Sequence, residues 1–368
     1  MASDGAGEGS ARVDRHRGSS LSAIDAAVAL AVTGAFVEDG DELTYAPAEG
    51  TEGFHMTMMS RKGLLPEADF YFSIPYEPPV ICTPEALDAI IDADDGNMLD
   101  AAYDLFRQEL ALADPEYAAS VGLETLALED FCDRYFAERM ASDPFIWAER
   151  NLAEAQRNYE AQYTVAWRYA ILRTHEVIEL LVPHLDDRDF KRFSRYFKPV
   201  FVDDYATVPH ESIQRMLALH RAGKLSVIAI GEKYRIDSHG PESGAILQVD
   251  DESTRYPVFI DAMGQRALSA KDFPFPSLCD QGIVQDMATA EGAPARGIVI
   301  DDQYHPVASG IPDDQLFCLS LPFLMGRHPF IQGITSSHEI GLTVGAVLAA
   351  AIGQTAHGAD TVKRGVAG

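Results

Sequence analysis

Residues 18–32 read GSSLSAIDAAVALAV, and 54–63 read FHMTMMSRKG. Ile24, Ala27, Val28 and Ala31 recur at helical spacing directly after the small-residue run Gly18-Ser19-Ser20, so a helix opens just behind that turn. Phe54 to Met59 reads as a strand that stops at Ser60-Arg61-Lys62-Gly63, a turn signal. Turn, helix and strand in that order make half of a βαβ unit. A dinucleotide fold needs such a turn, because backbone N–H groups and the helix N-terminus hold a pyrophosphate there. Gly18 allows the turn, and Ser19, Ser20 and Ser22 admit close approach. The competing reading of the same residues is an ordinary serine N-cap.

The end of the second strand of such a fold faces the adenosine ribose. Basic residues there suit a 2′-phosphate, so Arg61 and Lys62 favour NADPH over NADH. Taken alone they also read as two solvated charges in a turn.

Residues 74–84 carry Pro75, Pro78, Pro79 and Pro84 and form a connection. From about 85 to 222 nearly everything reads helical, punctuated by Pro115, Pro144, Pro183 and Pro209 near helix starts. The aromatic residues from Phe131 to Phe201 read as helical core. The aspartates Asp186, Asp187 and Asp189 read as exposed caps. After Lys224 come the β-rich runs LSVIAIG, YRIDS, AILQVDD and YPVFIDAMG, then GIVID (297–301) and LFCLSL (316–321). The run ending at Gly264 predicts a strand whose backbone approaches something closely. A last helix is predicted from Ser337 to Ile352, with Gly333, Ile334 and Thr335 before it. The fold class is therefore α/β with a helical middle.

The chain has 368 residues and a formal charge of −28, from 29 Lys+Arg against 57 Asp+Glu. Such a surface repels phosphate backbones, so no nucleic-acid partner is expected. No apolar run reaches the roughly 20 residues of a membrane span, and the opening MASDGAGEGS has no apolar signal core. The expectation is a cytoplasmic protein with a small-molecule substrate and no membrane partner; no pattern assigns an oligomeric state. Cys82, Cys132, Cys279 and Cys318 show no C-x-x-C spacing, so neither a disulfide framework nor a metal site is predicted. His338-Glu339 lacks the second histidine of H-E-x-x-H, and neither G-x-S-x-G nor a phosphate-loop G-x-x-x-x-G-K-[ST] is present.

In this order the motifs resemble one family, the FAD- and NAD(P)-binding oxidoreductases that include L-aspartate N-monooxygenase-like and FAD-dependent urate-hydroxylase-like proteins. GSSLSAIDAAVAL resembles its NAD(P)-binding turn, and MSRKGLLP resembles its S-R-x-G-L-L-P strand end. YPVFIDAMGQ resembles the strand returning to the FAD domain, and LFCLSLPFLMGRHPFIQGITSSHEIG (316–341) the flavin-side C-terminal segment. The resemblance implies a Rossmann-like two-dinucleotide flavoprotein. Gly18, Ser19, Ser20, Ser22, Arg61 and Lys62 would lie on NAD(P)H, and Gly264, Gln265, Gly333, Ile334 and Thr335 near FAD. It implies a monooxygenase-like FAD-dependent NAD(P)H oxidoreductase, with no catalytic residue assigned.

Three departures accompany it. No FAD-type G-x-G-x-x-G precedes Gly18, Ala11 to Arg17 make a poor strand, and Met263 replaces the usual threonine. The expected division is a non-native or disordered segment 1–17, the former from a shifted frame or misplaced start, then an NAD(P)-binding domain with helical insertion over 18–200. The remainder of the FAD domain follows over 201–353, and a tail over 354–368. The first FAD-binding βαβ element would be missing, so FAD binding is expected to be weak or lost. The alternative is a non-catalytic remnant or a nucleotide-binding protein that no longer holds FAD.

Overall fold

The computed structural model describes residues 21–40, 42–93, 96–238, 244–264, 266–287, 295–331 and 333–365, without the side chains of 33, 333–335 and 353–365. The chain opens with α1 (Leu21–Leu30), strands β1 (Gly34–Asp39), β2 (Glu42–Pro47) and β3 (Met56–Ser60). Nine α-helices follow among the described residues: α2 (Pro84–Ala93), α3 (Met98–Ala113), α4 (Pro115–Val121), α5 (Leu128–Met140), α6 (Pro144–Ala161), α7 (Ala166–Glu179), α8 (Asp187–Arg192), α9 (Lys198–Tyr205) and α10 (His210–Arg221). Then come β4 (Leu225–Ala229), β5 (Tyr234–Asp237), β6 (Ala245–Val249), β7 (Glu252–Tyr256), α11 (Pro276–Asp280), β8 (Val307–Ala308), β9 (Ile311–Pro312), α12 (Leu321–Leu324) and α13 (Gly333–Gly365). The protein is mixed α/β with small sheets.

Two compact units interleave along the chain. The first takes residues 21–73, Asp133–Val165 and Asp203–Gly264; the second takes Ile74–Cys132, Ala166–Val202 and the residues after Gly264. Residues 203–264 thus fall with the predicted nucleotide fold, because β4, reached after the helices, returns as the parallel partner of β3.

In the first unit β3 and β4 run in register from Met56 opposite Leu225 to Ser60 opposite Ala229. A single parallel bridge, Ala68 to Val208, continues the association. Ile24, Ala27 and Ala31 of α1 share one buried cluster with Met56 and Met58 of β3, Phe145 and Leu152 of α6, and Ile213 and Leu217 of α10. The helical spacing read at Ile24, Ala27 and Ala31 is the spacing of that buried face. Strands β5, β6 and β7 form an antiparallel meander. The acidic stretch after Gly34 forms an antiparallel hairpin, β1 with β2. Phe36 lies opposite Tyr45 and Glu38 opposite Leu43 on one face, and Tyr45 Oη closes the start by donating to Ala31 O at 2.9 Å.

The second unit is helical where it was expected to be. Asp114 caps α4 ahead of Pro115, and Asp143 caps α6 of the first unit ahead of Pro144, satisfying N–H groups a helix start leaves open. Phe106, Phe131, Phe193, Phe197 and Phe201 are fully buried, and Phe106 meets Phe131, Phe197 and Phe201 at ring separations of 5.1–5.6 Å. Between α8 and α9 the chain makes a π-helical turn, Phe193–Phe197. Asp186 does cap α8. Asp189 instead is buried against Arg192 at 3.1 Å.

Three strand expectations are corrected. Val258 to Gly264 is irregular, and Val258 and Ile260 are 73% and 48% exposed, because no described strand pairs with them. GIVID enters only isolated bridges, Ile298 with Asp286 and Ile300 with Pro306. LFCLSL is irregular up to Leu321, where α12 begins. Here backbone contacts replace a sheet. Ile298 N donates to Phe323 O at 2.9 Å, and Leu268 N to Pro322 O at 3.0 Å. A Cβ on Gly297, at φ +101, would stand 2.2 Å from Phe323 O, so the chains meet where only glycine fits. The last helix starts at Gly333, four residues before its predicted start, and runs on to Gly365.

Candidate functional site

The carboxyl ends of β3 and β4 lie side by side, the position where open parallel sheets bind ligands. Ile230 N donates to Ser60 O at 2.9 Å, and Gly231 N to Arg61 O at 3.1 Å. Ser60 is buried, and its Oγ accepts from Gly63 N at 3.0 Å, closing the turn. Gly63 sits at φ +66, and a Cβ there would stand 2.8 Å from Ala229 N. The glycine of S-R-K-G is therefore required by the approach of the two strand ends.

Arg61 and Lys62 project from this turn. Arg61 pairs with Glu232 at 3.3 Å, both partly exposed. The Lys62 ammonium lies 3.0 Å from the centre of the Phe136 ring. Below the turn the following loop is tied down by buried polar groups. Arg139 donates to Leu65 O at 2.6 Å and pairs with Asp203 at 2.6 Å. Burial alone would lower the Arg139 pKa, but Asp203 and Glu67 outweigh it and raise it. Trp147 donates to Glu67 at 2.7 Å, and Asn151 Oδ1 accepts from Ala68 N at 2.7 Å. Two cations thus stand on a rigid strand end, partly exposed, in a strongly acidic protein.

Among the expected cofactor residues, Ser22 is exposed in the first turn of α1, in the same unit as Arg61 and Lys62. Gly18, Ser19, Ser20 and Gln265 lie outside the described residues. Gly264 is exposed, with no described protein atom within 4 Å of a Cβ built on it. Gly333, Ile334 and Thr335 form the first turn of α13, their side chains outside the description. A hollow of about 320 Å³ beside α6, lined by Trp147, Arg150, Asn151 and Arg157, contains none of the expected residues.

A second group of polar residues, in the helical unit, has no local sequence signature. Glu179, the last residue of α7, lies 2.6 Å from His328 Nδ1. Among the described residues His328 Nε2 is closed to solvent and has no hydrogen-bond partner. Tyr304 places its ring centre 5.6 Å from that of His328, and burial lowers the pKa of Lys198, at the start of α9, with Glu179 opposing the shift. Glu179 and His328 are 149 residues apart in sequence, so no spacing rule could pair them. The available signal was His328 itself, inside the quoted flavin-side segment. Among the described residues no His/Cys/Asp/Glu group could hold a metal ion, and no helix is long and apolar enough to cross a membrane.

Residues 83–205 match the YdhS-like middle domain, which is the helical stretch from α2 to the end of α9. Over 329 residues the chain is 42% identical to the uncharacterized protein YdhS of Escherichia coli (strain K12). That match covers 88% of the chain and 59% of the relative, so the chain spans about three fifths of the length of the protein it resembles.

Proposed function

We propose that the chain is the NADPH-binding part of an FAD-dependent, monooxygenase-like oxidoreductase acting on a small molecule. The observation that carries the nucleotide assignment is the paired carboxyl end of β3 and β4, with Arg61 and Lys62 on the Ser60–Gly63 turn. In this reading the adenosine 2′-phosphate displaces Glu232 from Arg61 and stands between Arg61 and Lys62. The pyrophosphate lies toward the N-terminal end of α1. Bound flavin would supply the redox chemistry. What supports FAD is the sequence resemblance, so no reaction step is derived through it. A second reading, a nucleotide-binding protein that does not hold FAD, draws on the irregular, exposed backbone from Val258 to Gly264.

Calorimetric titration with NADPH and NADH tests the assignment. Arg61→Ala should weaken NADPH by about 1–3 kcal/mol, the value of a charge-assisted contact, and leave NADH unchanged. Glu232→Gln should tighten NADPH, since it removes both the competing partner and a negative charge. Equal losses for both nucleotides in Arg61→Ala would make Arg61 structural and defeat the reading. Stoichiometric flavin absorbance in the purified chain would favour the first reading and overturn the expected loss of FAD binding.

A further inference from the structure

We propose that the hollow beside α6, in the first unit, binds a small aromatic acid: a flat ring that carries a carboxylate or a phosphate. The inference does not depend on nucleotide binding at the strand end.

The hollow holds about 320 Å³, at the small end of the roughly 300–1,000 Å³ of small-molecule sites. Trp147, Arg150, Asn151, Glu154 and Arg157 line it. They follow one another at helical spacing and so share a face of α6. At about 1.5 Å of rise per residue, that face extends about 15 Å from Trp147 to Arg157.

Trp147 and Asn151 are held from behind. The Trp147 indole nitrogen donates to the buried Glu67 at 2.7 Å, which anchors the edge of the ring and leaves the rest as an apolar wall. Asn151 is only 8% exposed, and its Oδ1 accepts from Ala68 N at 2.7 Å. A backbone N–H can be met there only by the oxygen, so the sense of the amide is fixed. Its Nδ2 makes no hydrogen bond among the described residues, yet it is not closed off as His328 Nε2 is. It opens on the hollow that the residue lines. Buried side chains rarely leave such a donor unused, and here it stands at the floor of a cavity.

The charges select an anion. Arg150 lies over the Trp147 ring at 5.4 Å and stands 3.7 Å from Glu138, with both charged groups exposed, a pairing worth little in water. Among the described residues Arg157 pairs with no carboxylate, and neither arginine pairs with Glu154. Helical side chains lean toward the N-terminus, which brings Arg157 back along the face toward Asn151. Two guanidinium groups against the one carboxylate of Glu154 leave the lining net positive, in a chain of formal charge −28. An oxyanion there accepts charge-assisted hydrogen bonds from Arg157 and one from Asn151 Nδ2, and a ring attached to it lies against Trp147. A neutral ring lacks the first contact, and an anion without a ring lacks the second.

The test is calorimetric titration of the full chain with benzoate and with phenyl phosphate, against benzyl alcohol and inorganic phosphate as the ring and the anion alone. At least one of the aromatic acids should bind saturably with a Kd of about 1 mM or tighter, and the tighter of the two identifies the oxyanion. Benzyl alcohol and inorganic phosphate should each bind at least about tenfold more weakly. Asn151→Asp keeps the oxygen that Ala68 N needs but replaces the donor with a negative charge, so it should weaken binding at least about tenfold. Arg157→Gln should weaken it about threefold, the effect of an exposed pair, and Glu154→Gln should tighten it. Both positions are exposed, so their opposite signs decide the case even where Asn151→Asp does not fold. In a Trp167→Phe host, where Trp147 is the remaining tryptophan, fluorescence should change with the same Kd. No binding of either acid to the wild-type chain, equal affinity for the ring or the anion alone, unchanged affinity in the Arg157 and Glu154 variants, or a silent Trp147 would overturn the proposal.

Discussion

Glu109 is fully buried in α3, and its Oε2 accepts from three consecutive backbone N–H groups, Val80 at 2.9 Å, Ile81 at 2.5 Å and Cys82 at 3.2 Å. Its other oxygen pairs with Arg173 of α7 at 2.9 Å. One carboxylate thus fastens the end of the proline-rich connection to two helices. Consider Glu109→Gln. The amide oxygen can still accept from the loop, but its NH₂ then faces the Arg173 guanidinium, donor against donor. Breaking one side of a buried ion pair costs roughly 3–5 kcal/mol, and we expect a loss of that size. Arg173→Met should cost less, because the three N–H groups still satisfy the carboxylate. The double variant should be less damaged than the sum of the two, since the groups are coupled. The chain has two tryptophans, Trp147 in the first unit and Trp167 in the second. In a Trp147→Phe host, Trp167 fluorescence through a urea titration therefore reports the helical unit alone. A loss below about 1 kcal/mol for Glu109→Gln, or strict additivity of the pair, would refute the clamp.

Arg192 forms a bidentate pair with Asp100 at 2.7 and 2.9 Å and reaches Glu129 at 2.6 Å, and its hydrogen bonds hold both carboxyls below their ordinary range. A depressed folded pKa gives stability that is present above the unfolded value and lost as pH falls through the folded one. Urea midpoints should therefore fall as pH drops through and below the ordinary carboxylate range, and Arg192→Met should flatten that slope; an unchanged slope would remove Arg192 from the account. Burial, with Glu109 adding to it, pushes the Cys82 thiol up to about 12, so it should resist iodoacetamide at pH 8 in the folded chain and react only on unfolding. Rapid labelling of the native protein at Cys82, read by peptide mass spectrometry, would contradict its burial. Gly297→Ala should disrupt the packing of Ile298 and Leu324, seen as a lowered thermal midpoint, and a neutral result would mean that the close approach to Phe323 O relaxes without cost.

How much of this was legible in the sequence follows from the range of the interactions. The face of α1, the end of β3 at Ser60 and the helical middle are written in local periodicity and in turn residues, and these stand in the structure. The hairpin β1–β2 was not read from the sequence because its acidic residues mask the strand pattern, although Phe36 and Tyr45 pack across it at a ring separation of 5.2 Å. Val258 to Ile260, Ile298 to Ile300 and Phe317 to Leu319 carry strand-like composition, but a strand exists only where a partner supplies its hydrogen bonds. For these segments the described residues supply single bridges or none, so composition overstated the sheet. The strand-end cations were readable because a turn motif places them. The Glu179–His328 dyad was not, because an ion pair spanning 149 residues depends on how α7 meets the loop after α12. Local pattern therefore locates groups held by one element, and polar groups assembled from several become visible only through their unmet hydrogen bonds. His328 Nε2 is such a case, buried without a hydrogen-bond partner among the described residues.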